Sequence, residues 1–299
     1  MAVARSGISV LIHTKNAAET IESAIKSVMN WADEVVVADM QSEDDTIKLA
    51  KNLGAVVIKY PDHGFADPVR NDAISKVQGP WVLVLDADEE IPPTLATELQ
   101  KRAQDMSVHA YELPRKNLIF GKWAKTGWWP DYIIRFFQKG YVDWPAKVHG
   151  QPVAKGTIGR FDADESLAIL HHNYTTVHEF IDRMNRYTDL ELGTGKKSLI
   201  KTASDEFLRR YFDQRGYSQG EYGLILSSLQ TMYMMVAIIK QREQSGFSLE
   251  KTQESFRQFE DDIDEVFRDL CYWIADTHVR TERSWFSRLY WKVRRKLRV

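Results

Sequence analysis

Four short, almost continuous apolar runs mark the first part of the chain: ISVLIH (8–13), EVVVAD (34–39), AVVIKY (55–60) and WVLVLD (81–86). Runs this short and this apolar predict strands buried on both faces. Between them lie AAETIESAIKSVMN, DDTIKLAKNL and DPVRNDAISKV, in which apolar residues recur at helical spacing, as at Ile21, Ile25 and Val28. The order βαβαβαβ predicts a mainly parallel sheet with right-handed crossovers, whose ligands sit beyond the carboxyl ends of the strands. Three of those ends carry polar clusters, at His13 to Asn16, Asp39 to Asp45, and Asp86 to Glu90.

Pro92 and Pro93 read as the stop to this half. The next stretch mixes the β-like runs HAYELP and YIIRFF with tryptophans at 123, 128, 129 and 144, and suits the handling of a second substrate. After Tyr174 the pattern turns helical: HEFIDRMNRYTDLEL, a loop around Gly193 and Gly195, DEFLRRYFDQ, a long apolar helix near 221–243, a charged helix over 249–277 and a basic end. The expected organisation is an α/β domain over 1–175, divided into a nucleotide half (7–91) and an acceptor half (92–175). A helical extension (176–280) and a basic amphipathic tail (281–299) follow.

Composition narrows the class. With 299 residues, 43% hydrophobic and 27% charged, the chain is a compact, enzyme-sized protein and not a disordered or fibrous one. The lone Cys271 cannot form an internal disulfide, and the apolar run Ile8 to Ile12 is too short for a signal peptide, so an intracellular protein is expected. Net charge is −2, but residues 283–299 carry seven basic side chains and no acidic one, leaving 33 basic against 42 acidic elsewhere. On a helical wheel Trp285, Phe286, Leu289, Tyr290, Val293 and Leu297 share an arc of about 140°, while Arg288, Lys292, Arg294, Arg295 and Arg298 lie outside it. That pattern suits a helix lying on an anionic cytoplasmic membrane face, with a terminal helix packed on the body as the alternative. A nucleic-acid partner is not expected, because the acidic remainder would repel a phosphate backbone. The uncharged run 222–239 is interrupted by Ser227, Ser228, Gln230 and Thr231 and reads as a helix buried or lying on a bilayer rather than crossing it.

The chemistry concentrates at the strand ends. In LDADEE, Asp86 and Asp88 form an Asp-x-Asp pair that can hold a hard divalent cation while leaving positions for diphosphate oxygens. An Asp-x-Asp can also be a solvated loop or a helix cap, and its place at the end of a buried strand favours the functional role. In DMQSEDDT, Asp39 can accept from a nucleobase imide or a sugar hydroxyl, while Ser42, Asp44 and Thr46 would cap the next helix. GTGKKS (193–198) is no phosphate loop, since Leu190 stands where its first glycine belongs and Lys197 where Ser or Thr belongs. HEFID is no zinc motif, since position 182 is Asp182.

Taken as a set and in order, HTKN (13–16), the Asp39–Thr46 run, RNDAI from Arg70 and LDADEE resemble glycosyltransferase family 2, enzymes of the GT-A fold that use nucleotide-activated sugars. Segments 130–150, 170–188 and 207–236 are similar to the branch containing the lipopolysaccharide core β-1,4-glucosyltransferases, with one departure: Gly150 follows Val148 and His149 where that branch has Glu. The resemblance implies that Thr14, Asn16 and Asp39 contact the nucleoside, that Arg70 and Asn71 shape the pocket near base or diphosphate, and that Asp86 meets the ribose. It also implies that Asp88 is the main ligand of Mg²⁺ or Mn²⁺, completed by His171 with His172 as its competitor, and that the donor is a nucleotide-diphosphate sugar, UDP-linked first. Inverting transfer needs a base in the acceptor half, with Asp131 first and Asp143 and His149 behind it. Arg135 suits holding a loop or a phosphate. The four tryptophans fit a sugar-binding wall, although aromatics this dense more often belong to a core. The implied acceptor is a lipid-linked or cell-envelope glycan. The missing glutamate raises the alternative of a non-catalytic nucleotide-sugar-binding protein.

Overall fold

Strands β1 (Ile8–Thr14), β2 (Glu34–Asp39), β3 (Val56–Lys59) and β4 (Trp81–Asp86) coincide with the four apolar runs to within a residue or two. They pair in parallel in the order β3-β2-β1-β4, crossed by helices α1 (Ile21–Val28), α2 (Thr46–Asn52) and α3 (Asp67–Lys76). The period-two alternation of a strand sorts their side chains onto two faces. Ile8, Val10, Ile12, Trp81, Leu83 and Leu85 point to one face, where Ile21, Ala24, Ile25 and Val28 of α1 cover them. Leu11, Val82 and Val84 point to the other, covered by Val69, Ala73 and Ile74 on α3 and by Val77 just after it. His13 and Asp86 share the parity of that second face, which is why a polar residue on α3 can reach both.

The computed structural model describes residues 7–145, 150–190, 198–247 and 252–298. Two units make up the chain, Met1–Ala124 with Trp128–Thr175 and Lys125–Gly127 with Thr176–Val299. In the first unit the parallel half continues through β5 (Glu89–Glu90), α4 (Pro93–Arg102), β6 (Ala110–Ile119), β7 (Lys122–Trp123), β8 (Asp131–Gln138), β9 (Val142–Asp143), β10 (Val153–Ala154), β11 (Ile158–Arg160) and β12 (Ile169–His172). The sheet grows beyond β4 in the order β8-β6-β12-β5, with β7 and β11 on β6 and a separate β9-β10 pair. Pro92 and Pro93, read as the stop to the first half, stand at the start of a helix, since Pro93 is the first residue of α4. A proline has no N–H to leave unsatisfied there, and its fixed φ suits the first turn. Trp81 stacks on Phe136 at 4.6 Å between ring centres, joining the parallel half to β8. A parallel sheet, a mixed second half and a helical extension make the α/β, GT-A-type architecture expected from the sequence.

One irregularity matters for the site. Along β6 and β8, Tyr111 pairs with Phe136 and Glu112 with Ile134, so Arg135 is an extra residue on β8. Such a bulge re-aims the side chain it carries.

The second unit holds α5 (Val177–Leu190), α6 (Leu199–Leu208), α7 (Gly220–Gln244), α8 (Thr252–Thr281) and α9 (Trp285–Leu297). The start of α7 is pressed against the preceding turn: a Cβ at Gly223 would lie 1.9 Å from the carbonyl oxygen of Gly216, so only glycine fits. The stretch Gly216–Gln244 is long and apolar enough to cross a membrane by length and composition, and 22% of its most apolar window is buried. Helix α9 packs on α8 through Trp291, stacked at 3.9 Å on His278, and through Arg295, 2.6 Å from Asp276. Its apolar arc lies on the opposite side and is exposed, from 47% at Leu289 to 78% at Phe286.

Candidate active site

The ends of β1 and β2 are knitted together by their loops. Asn16, at φ +48°, donates its backbone N–H to Ser42 Oγ at 2.8 Å and accepts from the Glu43 N–H at 2.8 Å. Ala17 N–H donates to Thr46 Oγ1 at 2.8 Å and Ala18 N–H to Asp44 Oδ2 at 3.0 Å. Of the three residues expected to cap α2, Asp44 does accept the N–H of its first residue, Thr46, at 3.0 Å, whereas Ser42 and Thr46 turn to the β1 loop and the N-cap Asp45 makes no side-chain bond. Asp44 thus joins the two loops, with Oδ1 on the helix amide and Oδ2 on Ala18.

Thr14 and Asp39 are register partners at the ends of β1 and β2, and both are buried. Asp39 Oδ2 accepts from the Ser42 N–H at 3.1 Å. Asp39 Oδ1 and Thr14 Oγ1 have no partner among the described residues. An unmet buried polar atom costs about 1–3 kcal/mol, so two side by side make a cradle for a ligand edge that offers a donor to the carboxylate.

Asp86, at the end of β4, is held between two guanidinium groups. Arg70 Nη2 is 2.7 Å from its Oδ1 and Arg135 Nη2 is 2.6 Å from its Oδ2. Burial alone would raise the Asp86 carboxyl, but Arg135 and Arg70 outweigh it and hold it well below the usual carboxylate range. Arg70 also donates from Nε to Asp67 Oδ1 at 3.0 Å, and its Nη1 lies 3.3 Å from His13 Nδ1. Burial and the Arg70 charge depress His13 well below its ordinary value, so the ring is neutral. Trp144 lies over both arginines, 5.1 Å from Arg70 and 5.9 Å from Arg135, and is itself 5% exposed. It is core to this charged cluster rather than an open sugar wall. Trp123 meets Trp129 edge-on at 5.3 Å, and these two and Trp128 are half-buried.

Asp88 follows two residues later, and its Oδ2 lies 3.7 Å from His171 Nε2. His172 turns to Glu90 instead, at 2.9 Å. The other His171 nitrogen, Nδ1, is 2.6 Å from Asn117 Oδ1, its register partner across β6 and β12. Asn117 Nδ2 donates to Asp131 Oδ2 at 3.0 Å. Asp131 pairs across β6 and β8 with Arg115, whose Nε and Nη2 reach the same Oδ2 at 2.8 and 2.7 Å. Arg115 Nη1 reaches Glu89 Oε1 at 3.2 Å, and the other Glu89 oxygen accepts from the Asp86 N–H at 2.9 Å. Charges thus alternate from Arg70 through Asp86, Arg135, Glu89 and Arg115 to Asp131.

Among the described residues no three His, Cys, Asp or Glu side chains form a metal-holding group. Asp88 and His171 nevertheless suit Mg²⁺ or Mn²⁺, ions bound by few protein ligands and completed by water and phosphate oxygens. Asn71 donates to Asp143 Oδ1 at 3.0 Å and to the Trp144 carbonyl at 2.8 Å, and accepts from the Trp144 N–H at 2.9 Å, so it holds the Asp143–Trp144 segment. Asp143 is exposed. His149, the third candidate base, lies outside the described residues.

The model of the family described as Glycosyl transferase family 2 matches residues 9–168, more than half of the chain. The chain belongs to glycosyl transferase family 2. An uncharacterized glycosyltransferase of Rickettsia typhi is 30% identical over 258 residues, covering 80% of this chain and 87% of the relative. One of Rickettsia prowazekii is 28% identical over the same shares. Among solved structures, glucosyl-3-phosphoglycerate synthase of Mycobacterium tuberculosis with Mn²⁺ and UDP-glucose is 25% identical, with a TM-score of 0.32 over 37% of this chain and 42% of that one. The protein is therefore a glycosyltransferase, and its sheet is the catalytic fold of that family.

Several residues of this transferase site escaped the sequence pattern. Glu89 sat unremarked inside LDADEE, yet it is fully buried and joins Asp86 to Arg115. Arg115 and Asn117 stand two apart in the strand AYELPRKNLI, so they share a face. Alternating polar residues in an otherwise apolar strand were the available signal. His13 belonged to a quoted motif without a role of its own.

Proposed function

We propose that this family 2 glycosyltransferase moves a hexose, with inversion, from a UDP-sugar to a lipid-linked or cell-envelope glycan acceptor, lipopolysaccharide-like, at the cytoplasmic face of an anionic membrane. The observation that carries the reading is the pair Asp88 Oδ2 and His171 Nε2, facing each other across 3.7 Å close to the strand ends where Thr14 Oγ1 and Asp39 Oδ1 lack partners. A cation is the natural occupant between a carboxylate and an imidazole lone pair. Asp39 would accept the imide N–H of a uracil ring, with Thr14 beside it.

Mg²⁺ or Mn²⁺ held by Asp88 and His171 would act as a Lewis acid on the leaving diphosphate. Asp131 is the first choice of base. Among the described residues its three polar contacts fall on Oδ2, which leaves Oδ1 to take the proton of the acceptor hydroxyl. The new bond to the anomeric carbon forms as the bond to the diphosphate breaks, so configuration inverts. Asp86, with both oxygens engaged by arginines, fits a role in holding the cluster's shape beside whatever it offers the ribose.

The membrane side of the proposal rests on α9. A terminal helix merely packed on the body would bury its apolar arc. Here the Trp291 and Arg295 side meets α8, and Trp285, Phe286, Leu289, Tyr290, Val293 and Leu297 face outward with Lys292 and Arg294 nearby. The acceptor class is the one implied by the resemblance of segments 130–150, 170–188 and 207–236 to the lipopolysaccharide core branch.

Release of nucleotide from a panel of nucleotide sugars, with and without Mn²⁺, tests the reaction. Metal-dependent release from a UDP-sugar is expected, and Asp88→Ala should lower it about 10³-fold, the several kcal/mol of metal assistance at 1.4 kcal/mol per tenfold. Metal-independent turnover, or an active Asp88→Ala enzyme, would overturn it.

A further inference from the structure

Asn117 is 1% exposed, sits on a strand, and makes contact with two groups that the proposed reaction uses for different purposes. Its amide orientation is set by chemistry. Nδ2 faces Asp131 Oδ2 at 3.0 Å and the Trp128 carbonyl at 3.5 Å, both acceptors, so the NH₂ group must lie on that side. Oδ1 then faces His171 Nδ1 at 2.6 Å, and an amide oxygen can only accept. In the neutral ring the proton must sit on Nδ1, which leaves the Nε2 lone pair directed toward Asp88.

We propose that Asn117 is a positioning residue that serves base and metal site together: it holds His171 in the Nδ1–H tautomer for metal binding and fixes Asp131 through the same amide. The inference rests on the metal and base roles proposed above. No charge change is involved, only the direction of two hydrogen bonds. Partners that orient a metal-binding histidine commonly matter 10–100-fold in metal affinity.

Two variants separate the two bonds. Asn117→Ala removes both. Asn117→Asp keeps an oxygen toward His171 but sets a carboxylate against Asp131. The first measurement is ¹⁵N NMR of the metal-free, histidine-labelled protein at alkaline pH, with the His171 signal assigned by its loss in His171→Gln. The parent and Asn117→Asp should show Nδ1–H, and Asn117→Ala a mixture of tautomers. The second is titration with Mn²⁺ alone: Asn117→Ala should bind about 10–100-fold more weakly, while Asn117→Asp should stay close to the parent yet lose transfer activity. A parent ring protonated on Nε2, or an Asn117→Ala protein with unchanged tautomer and Mn²⁺ affinity, would overturn the proposal. A parent that takes up no Mn²⁺ removes the metal assignment, and the tautomer result still judges Asn117, so the two failures are distinguishable.

Discussion

In the sheet unit Arg70, Arg135 and Glu89 lie inside, each within a few ångströms of an opposite charge, whereas in the helical unit Trp285, Phe286, Phe256 and Phe267 lie outside with more than half of their surface exposed. Each unit inverts the usual sorting of residues, and for different physical reasons. A buried charge persists only when paired and hydrogen-bonded, so the sheet unit keeps its charges where geometry has to be exact for chemistry. An exposed aromatic row persists when some other surface covers it, and the basic residues flanking the α9 row suit the anionic membrane proposed above.

The contrast is broken most severely from the inside. Arg135→Ala leaves Asp86 and Glu89 short of a counter-charge, and losing one partner of a buried pair costs about 3–5 kcal/mol. The denaturation midpoint should fall accordingly, and a variant as stable as the parent would mean that the cluster is wet and inessential. From the outside, Trp285→Ser with Phe286→Ser removes two side chains each worth about 1.5–3 kcal/mol when buried. Sedimentation with vesicles rich in anionic lipid should show at least about tenfold weaker binding, while folding stability shifts by less than about 0.5 kcal/mol, as for exposed sites generally. Unchanged vesicle binding would leave the α9 face without its proposed partner.

The finest probe is His13. Its folded pKa lies well below its ordinary value, so below pH ~6.5 the unfolded ring takes up a proton that the folded ring refuses. Stability should therefore fall with decreasing pH by up to about 1.4 kcal/mol per unit until the folded value is reached. Asp86 works at lower pH: its depressed carboxyl contributes stability above about pH 3.9, lost as pH falls through the lower folded value. Urea midpoints for the parent and His13→Gln between pH 7 and 5 should converge as pH falls. Parallel curves would mean that His13 takes up its proton alike in the folded and unfolded chains.

Much of the donor side was legible because its residues follow one another along the chain. Thr14, Asp39 and Asp86 end strands that the apolar runs already mark, and Asn16 and Asp88 each follow such an end by two residues. The acceptor side was not. Asn117 meets His171, and Arg115 meets Asp131, only because β6 pairs with β12 on one side and β8 on the other in a particular register. Ser42 and Thr46 look like caps in sequence yet bond to the β1 loop for a related reason: local propensity indicates what a residue can do, and neighbours distant in sequence choose among the possibilities.

By itself, then, the sequence determined the order of strands and helices, the family, the carboxylates at the strand ends and the amphipathic character of the tail. The family rests on the resemblance of four motifs, and the others follow from side-chain periodicity and short-range spacing. Only the tertiary structure decided that a bulge aims Arg135 at Asp86, that Asn117 joins Asp131 to His171, and which side of α9 meets α8. Those depend on strand register and helix packing, which bring together groups tens of residues apart and which no local pattern encodes.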